Sequence, residues 1–295
     1  MVRVASMKIW NVELGLAVHV KAPNGRYIVI DLGSTKNVSP LQTLRGKDVG
    51  YMVITHPHLD HFSDIDNIAY ARPDVLWRSH SYSRDELLTD IRESDRNKIT
   101  KYCDFVESYN GELSIGKDPS TGTPFGGLTA DIFCTNTCDK KNKNNFSAIV
   151  VLKLGNAKIV VCGDNEKDSF ERLMLRQDFK DAVKNAWILV AAHHGRESGY
   201  YEAFVELVNP YLTVISDTSN VETSVSSKYS AKSRKYSVYN SNTRLYEERH
   251  CLTTRKDGDI EIEFGETDDN NYSGYLYVQK RHCPKFCVNG NRIQL

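Results

Sequence analysis

Apolar and polar residues alternate from Val2 to Val12, and the segment Leu16 to Ala22 is also strand-like. A period of two predicts strands with one buried face. Asn24-Gly25 then marks a hairpin turn, because both residues tolerate positive φ. Tyr27 to Leu32 is almost wholly apolar and ends in Asp31-Leu32-Gly33, and a second apolar run, Tyr51 to Ile54, stops at Thr55-His56-Pro57. Fully apolar strands are buried on both faces and need a layer on each side. Ile99, Tyr102, Val106 and Tyr109 share one face of a predicted helix, and a second helix is expected from about Lys167 to Ala186. Ser147 to Leu154 and Ala157 to Cys162 read as two strands joined at Gly155-Asn156; Trp187 to Ala192 and Leu212 to Ser216 read as buried strands. Ile260 to Phe264 alternates, and Gly274 to Gln279 forms a last strand-like run. Thr218 to Asn242 has no apolar periodicity and is expected to be an irregular loop, as is the acidic segment Glu266 to Ser273. Two blocks of strands, each followed by helices, predict an α+β fold: a four-layer αββα sandwich over residues 1–265, with residues 266–295 as a C-terminal extension.

Charge narrows the possible partners. The 38 basic and 38 acidic side chains cancel, so nucleic acid or acidic lipid would have to meet a local patch. No apolar stretch is long enough for a membrane span, and the N-terminus lacks the apolar centre of a signal peptide; a cytoplasmic protein without membrane contact is expected. Its seven cysteines are then reduced thiols. The pairs Cys134/Cys138 and Cys283/Cys287 have CxxxC spacing rather than that of a zinc ribbon.

The chemistry concentrates in three places. Thr55-His56-Pro57-His58-Leu59-Asp60-His61 follows a buried strand and offers four metal ligands within six residues. Imidazole and carboxylate together suit zinc, manganese or iron. His193-His194-Gly195 ends a second apolar strand, and either histidine is a candidate ligand. Asp164 ends a third strand; it is a candidate bridge between two cations, although by itself it reads as a helix N-cap. Arg196, next to the histidine pair, could hold an anionic substrate through a bidentate contact.

These elements resemble the metallo-β-lactamase superfamily, with its HxHxDH motif, later bridging aspartate and C-terminal histidine. The resemblance spans about Met7 to Phe264. Asn144-Asn145-Phe146-Ser147, Gly163-Asp164, His193-His194-Gly195 and Thr253-Thr254-Arg255-Lys256-Asp257-Gly258 are further similar to the hydrolase domain of ComEC-like DNA-uptake proteins. It implies two divalent metal ions, zinc or manganese: His56 and His58 on the first, Asp60 and His61 on the second. Asp164 would bridge them, and one of His193 and His194 would complete the second site. Asp31 would orient the motif from behind, and Asn144 and Asn145 would support the site. Many superfamily members place another ligand histidine before the bridging aspartate, but none lies between His80 and His193 here. The first site is therefore expected to be one ligand short and the weaker of the two.

The implied activity is metal-dependent hydrolysis through an activated water, with Asp60 orienting or deprotonating it. A phosphodiesterase or nuclease is the leading expectation; a lactone, ester or amide hydrolase, or a degenerate-site binding or effector-partner protein, are the alternatives. Lys140, Lys141 and Lys143 crowd the segment before Asn144. Lys228, Lys232, Arg234 and Lys235 alternate with Tyr229 and Tyr236. Such mixtures can contact phosphates and stack on bases of a nucleic acid or nucleotide.

Overall fold

A computed structural model describes residues 3–218, 224–266 and 274–281. Its strands are β1 (Arg3–Ile9), β2 (Ala17–Lys21), β3 (Tyr27–Leu32), β4 (Val49–Ile54), β5 (Val75–Arg78), β6 (Thr129–Phe133), β7 (Ile149–Leu154) and β8 (Ala157–Val161). They continue with β9 (Ile188–Val190), β10 (Leu212–Ile215), β11 (Tyr236–Asn240), β12 (Leu245–Arg249), β13 (Cys251–Thr253), β14 (Asp259–Glu266) and β15 (Gly274–Arg281). Two sheets result, ordered β12-β11-β15-β14-β1-β2-β3-β4-β5 and β13-β10-β9-β8-β7-β6.

The sheets face each other across an apolar core. Val18, Val20, Ile28 and Ile30 of the first sheet meet Val150, Leu152, Ile159 and Val190 of the second. Each such side chain, removed from water, contributes roughly 1.5–3 kcal/mol. The opposite face of the first sheet is covered by α2 (Glu93–Glu107), which follows the short α1 (Arg84–Leu88). There Tyr102, Phe105 and Val106 pack on Val29, Met52 and Ile54. The outer face of the second sheet carries α3 (Lys167–Leu173), α4 (Gln177–Val183), α5 (Glu202–Val208) and α6 (Ser226–Lys232), with Phe170, Phe179, Phe204 and Tyr229 over Val151, Val160 and Leu189. A single turn of helix, α7 (Thr254–Asp257), precedes β14. The αββα sandwich expected from the sequence is thus the observed fold.

Two expectations need correction. The helix predicted over 167–186 is two, because Arg176 adopts extended angles (φ −88°, ψ 123°) between α3 and α4. The break lets Phe170 and Leu173 of one helix and Phe179 and Val183 of the next reach the same cluster, while Leu175 at the corner is exposed. The described part of the segment 218–242 is not an irregular loop, since it holds α6 and β11. Tyr229 is the buried residue of α6, packed edge-on to Tyr200, so one aromatic anchor replaces an apolar stripe. Within the extension 266–295, β15 pairs antiparallel with β14 from Gly274 to Arg281 and so joins the first sheet. Cys283 and Cys287 lie outside the described residues. Among the described residues no helix is long and apolar enough to cross a membrane.

Candidate metal centre

The candidate ligands gather where strands end. β3, β4 and β5 run parallel, as do β8, β9, β10 and β13, so their carboxyl ends open on common edges. Thr55 to His61 leaves β4, Gly163-Asp164 follows β8, and His193-His194 follows β9. Asp31, inside β3, has φ 57°, and the pairing with β2 slips there, between Ala17 and Val18. Such a bulge re-aims a side chain, and aspartate tolerates the left-handed conformation better than most residues. The carboxylate accepts from the Thr55 backbone N–H and hydroxyl, both at 2.7 Å, and lies 2.6 Å from His61 Nδ1.

That contact sets the tautomer of His61. With Nδ1 donating to Asp31, its Nε2 presents a lone pair inward, as outer carboxylates do for metal-bound imidazoles. His194 is arranged likewise: Nδ1 donates to the Ser216 carbonyl at 3.1 Å. The Nε2 atoms of both rings are buried without a hydrogen-bond partner. They point at two carboxylates. His61 Nε2 lies 3.2 Å from Asp164 Oδ1, and His194 Nε2 lies 3.4 Å from Asp60 Oδ2 and 3.5 Å from Asp164 Oδ2. Four ligands placed tetrahedrally at zinc's usual bond lengths are separated by about 3.4 Å. Ligand atoms of Asp60, His61, Asp164 and His194 lie within 4.8 Å of one another. Orphaned nitrogens facing paired carboxylates therefore fit a divalent cation.

The other half of the motif sits beside this cluster. His56 Nε2 is 2.9 Å from His58 Nδ1 and 3.8 Å from Asp164 Oδ2. Asp164 Oδ1 faces His61, while Oδ2 lies near both His56 and His194, so this one carboxylate borders both halves of the cluster.

Electrostatics agree with a site built for positive charge. Burial disfavours charged His194, but Asp164 and Asp60 outweigh it and push the imidazole up to about 9. His61 is also raised, burial being overcome by Asp164, Asp31 and Asp60. Asp164 is held far below the usual carboxylate range, despite burial, by His61 and His194. His61 and His194 are thus the two imidazoles held protonated, while burial pushes His56, His58 and His193 down.

The structure separates the two histidines that the sequence left open. His194 joins the cluster, whereas His193 Nδ1 lies 2.9 Å from both Glu166 Oε1 and Ser198 Oγ. Its Nε2 lies 3.4 Å from Arg196 Nη1 and 3.9 Å from Asp164 Oδ2. Both histidines have positive φ, 47° and 53°, and Gly195 continues the turn at 68°. This costly backbone sends successive imidazoles to different partners. Gly195 has no room for a side chain, since a Cβ would lie 2.8 Å from Ile215.

Asn144 and Asn145 act differently. Asn145 Oδ1 accepts from the Glu166 and Ser169 backbone N–H groups, each at 3.3 Å, and so holds the start of α3. Asn144 Nδ2 donates to Glu166 Oε1 at 3.0 Å, and Asn142 Nδ2 to Glu166 Oε2 at 2.7 Å. Glu166 and Ser216 are not singled out by the sequence. Glu166 lies two residues after Asp164, and only that spacing hints at it.

An open cleft of about 650 Å³ lies over the cluster, lined by His58, Asp60, Asn144, Asp164, His193, His194 and Arg196. Arg196 Nε is buried there without a partner. Lys143 is near enough to help, after burial, to depress His58. The other basic candidates are engaged elsewhere. Lys140 pairs with Glu86 at 2.9 Å, while Lys141 is exposed. Lys228 pairs with Glu197, Lys232 with Glu202 and Glu206, and Lys235 with Glu248, at 2.6–2.8 Å. Arg234 lies over the Tyr211 ring at 3.6 Å. In the stretch read as basic residues interleaved with tyrosines, the three lysines pair with acids at the surface and Tyr229 is buried.

Fold and site together give an αββα protein with a cleft above a candidate metal centre. The chain belongs to the metallo-beta-lactamase superfamily, whose profile matches residues 11–210. Three solved structures are among those it is similar to. The metallo-beta-lactamase fold protein YhfI from Bacillus subtilis is 12% identical, with 84% of this chain and 95% of that one covered at a TM-score of 0.44. Zn2+-bound PqqB from Methylobacterium extorquens is 9% identical, covering 81% of this chain and 84% of that one at 0.42. A long-form RNase Z from yeast is 10% identical, covering 73% and 38% at 0.37. The search of curated proteins found no match.

Proposed function

We propose that this protein is a metal-dependent phosphodiesterase or nuclease, akin to the hydrolase domain of ComEC-like proteins, using two divalent ions, zinc or manganese. The observation that carries the reading is Arg196. Its guanidinium lines the cleft beside the metal cluster, with Nε buried and unpartnered. A half-buried cation beside a site that would hold two more favours an anionic substrate over a neutral lactone or ester.

His56, His58 and Asp164 would hold the first ion, and Asp60, His61, His194 and Asp164 the second. When bound, the ions supply Lewis acidity, making water more acidic and offsetting charge on a phosphoryl oxygen. Asp60, at the mouth of the cluster, orients the attacking water. Arg196 donates to the non-bridging phosphoryl oxygens, and His193, fixed by Glu166 and Ser198, steadies the guanidinium through Nε2. Lys141 and Lys143, just before the cleft residue Asn144 in the chain, would meet further phosphates.

The test is a panel on one metal-loaded preparation: bis-p-nitrophenyl phosphate, single- and double-stranded DNA, cyclic nucleotides and a lactone. Diester cleavage that chelator abolishes and metal restores is expected, with Arg196→Ala lowering kcat/KM. A charge-assisted hydrogen bond contributes about 1.5–3 kcal/mol, so the loss should be roughly 10- to 100-fold. Lactone hydrolysis far above diester cleavage would overturn the reading, and inactivity on every substrate would favour a binding role.

A further inference from the structure

With the ligands proposed above, the first ion would have two imidazoles and a shared carboxylate, one protein ligand fewer than the second. We propose that Asn144 fills that place, its side-chain oxygen ligating the first ion. This rests on the metal-centre reading above.

Three observations converge on Asn144. Its side chain is only 9% exposed, yet Oδ1 is buried with no hydrogen-bond partner. Its Nδ2 is committed to Glu166 Oε1 at 3.0 Å, so the amide cannot flip without losing a charged partner. The backbone is pinned as well, because Asn142 Oδ1 accepts from the Asn144 N–H at 3.1 Å. A planar amide held by its nitrogen has one direction left for its oxygen. That residue lines the cleft together with His58 and Asp164. A buried carbonyl oxygen left unpaired costs about 1–3 kcal/mol, a penalty that a cation would remove.

The chemistry follows from the donor. An amide oxygen is harder than imidazole, so two nitrogens and two oxygens make a site more tolerant of manganese than three imidazoles would. Glu166 then serves the proposed first ion and the substrate side together, because the oxygen that aims Asn144 also faces Nδ1 of His193, the imidazole next to Arg196, at 2.9 Å.

The experiment counts metal and does not use turnover. Apo-protein is titrated with Zn2+ and with Mn2+ against a chromophoric chelator, and bound metal is counted by mass spectrometry. Wild type should bind two equivalents. Asn144→Ala should weaken one equivalent at least about 10-fold, the size of effect seen even for residues behind the ligands. Asn144→Asp keeps an oxygen but discards the donor to Glu166, and should bind both equivalents. Asn144→His should raise preference for Zn2+ over Mn2+ at the weaker site. Circular dichroism and melting on each variant report folding. Alanine and aspartate variants that weaken equally would assign Asn144 to holding Glu166, and an alanine variant that binds like wild type would place it off the metal; either result overturns the proposal. Wild type that takes up no metal would instead remove the metal centre itself.

Discussion

At the scale of single residues, the account turns on carboxylates that decide what each imidazole does. Asp31 is fully buried with three hydrogen-bonding contacts, two from Thr55 and one from His61. Asp31→Ala should destabilise the protein by about 3–5 kcal/mol, the usual cost of stranding one member of a buried pair, and should weaken metal binding. Denaturant unfolding and metal titration check both. Asp60→Ala is different, because Asp60 sits at the cleft rather than in the core. It should abolish turnover and leave the circular dichroism spectrum unchanged; near wild-type turnover would remove its role. The raised histidines also set a pH dependence. His61 and His194 are protonated near neutral pH in metal-free protein, His194 up to about 9, so a cation must displace their protons. Apparent metal affinity should therefore climb from pH 6 toward 9, with proton release visible as a buffer-dependent heat of binding. In the metal-free protein the sign reverses. His194's contribution to stability is fully present below its unfolded value of 6.5 and fades as pH rises through about 9.

At the scale of elements, the ends of strands carry the function, and these are held by close backbone approaches. Gly15, at φ +116°, lies where a Cβ would fall 2.2 Å from the Asp60 carbonyl oxygen. Gly15→Ala should therefore shift the His58–Asp60 turn. We expect a melting temperature several degrees lower and reduced metal content, whereas wild-type values in both would show that the contact does not position the loop. The strands feeding the site were legible because each is an apolar run that stops at polar residues of the site: Tyr27 to Leu32, Tyr51 to Ile54 and Trp187 to Ala192. Other elements were not legible. β5 and β6 are short edge strands with mixed polarity, and α6 buries one tyrosine rather than a stripe. The break at Arg176 left no trace in composition, since it answers to the surface beneath α3 and α4. Within the site, the motif named its own ligands, but the choice of His194 over His193 depended on which imidazole the positive-φ turn aims inward. The distant partners Ser216 and Glu166 become neighbours only through the sheet.

At the scale of the whole molecule, the sandwich brings β3, β4, β8, β9 and β10 to one edge, and a metal centre there ties both sheets together. Cations that bind only the folded chain stabilise it by about 2.7 kcal/mol per site at a hundredfold excess over Kd. Chelation should then lower the melting temperature by roughly 4 °C for one such site, and readdition of metal should restore it. The balanced surface matters here too. With Lys228, Lys232 and Lys235 already paired, neutralising all three should leave hydrolysis of a small diester unchanged, while Arg196→Ala should not. The central claim is the metal centre itself, and elemental analysis of protein purified without chelator, followed by equilibrium dialysis against Zn2+ and Mn2+, tests it most directly. The account predicts two divalent ions per chain at saturation, falling to at most one in a His61→Ala, His194→Ala double variant. A wild-type chain that carries no transition metal and takes none up would contradict it.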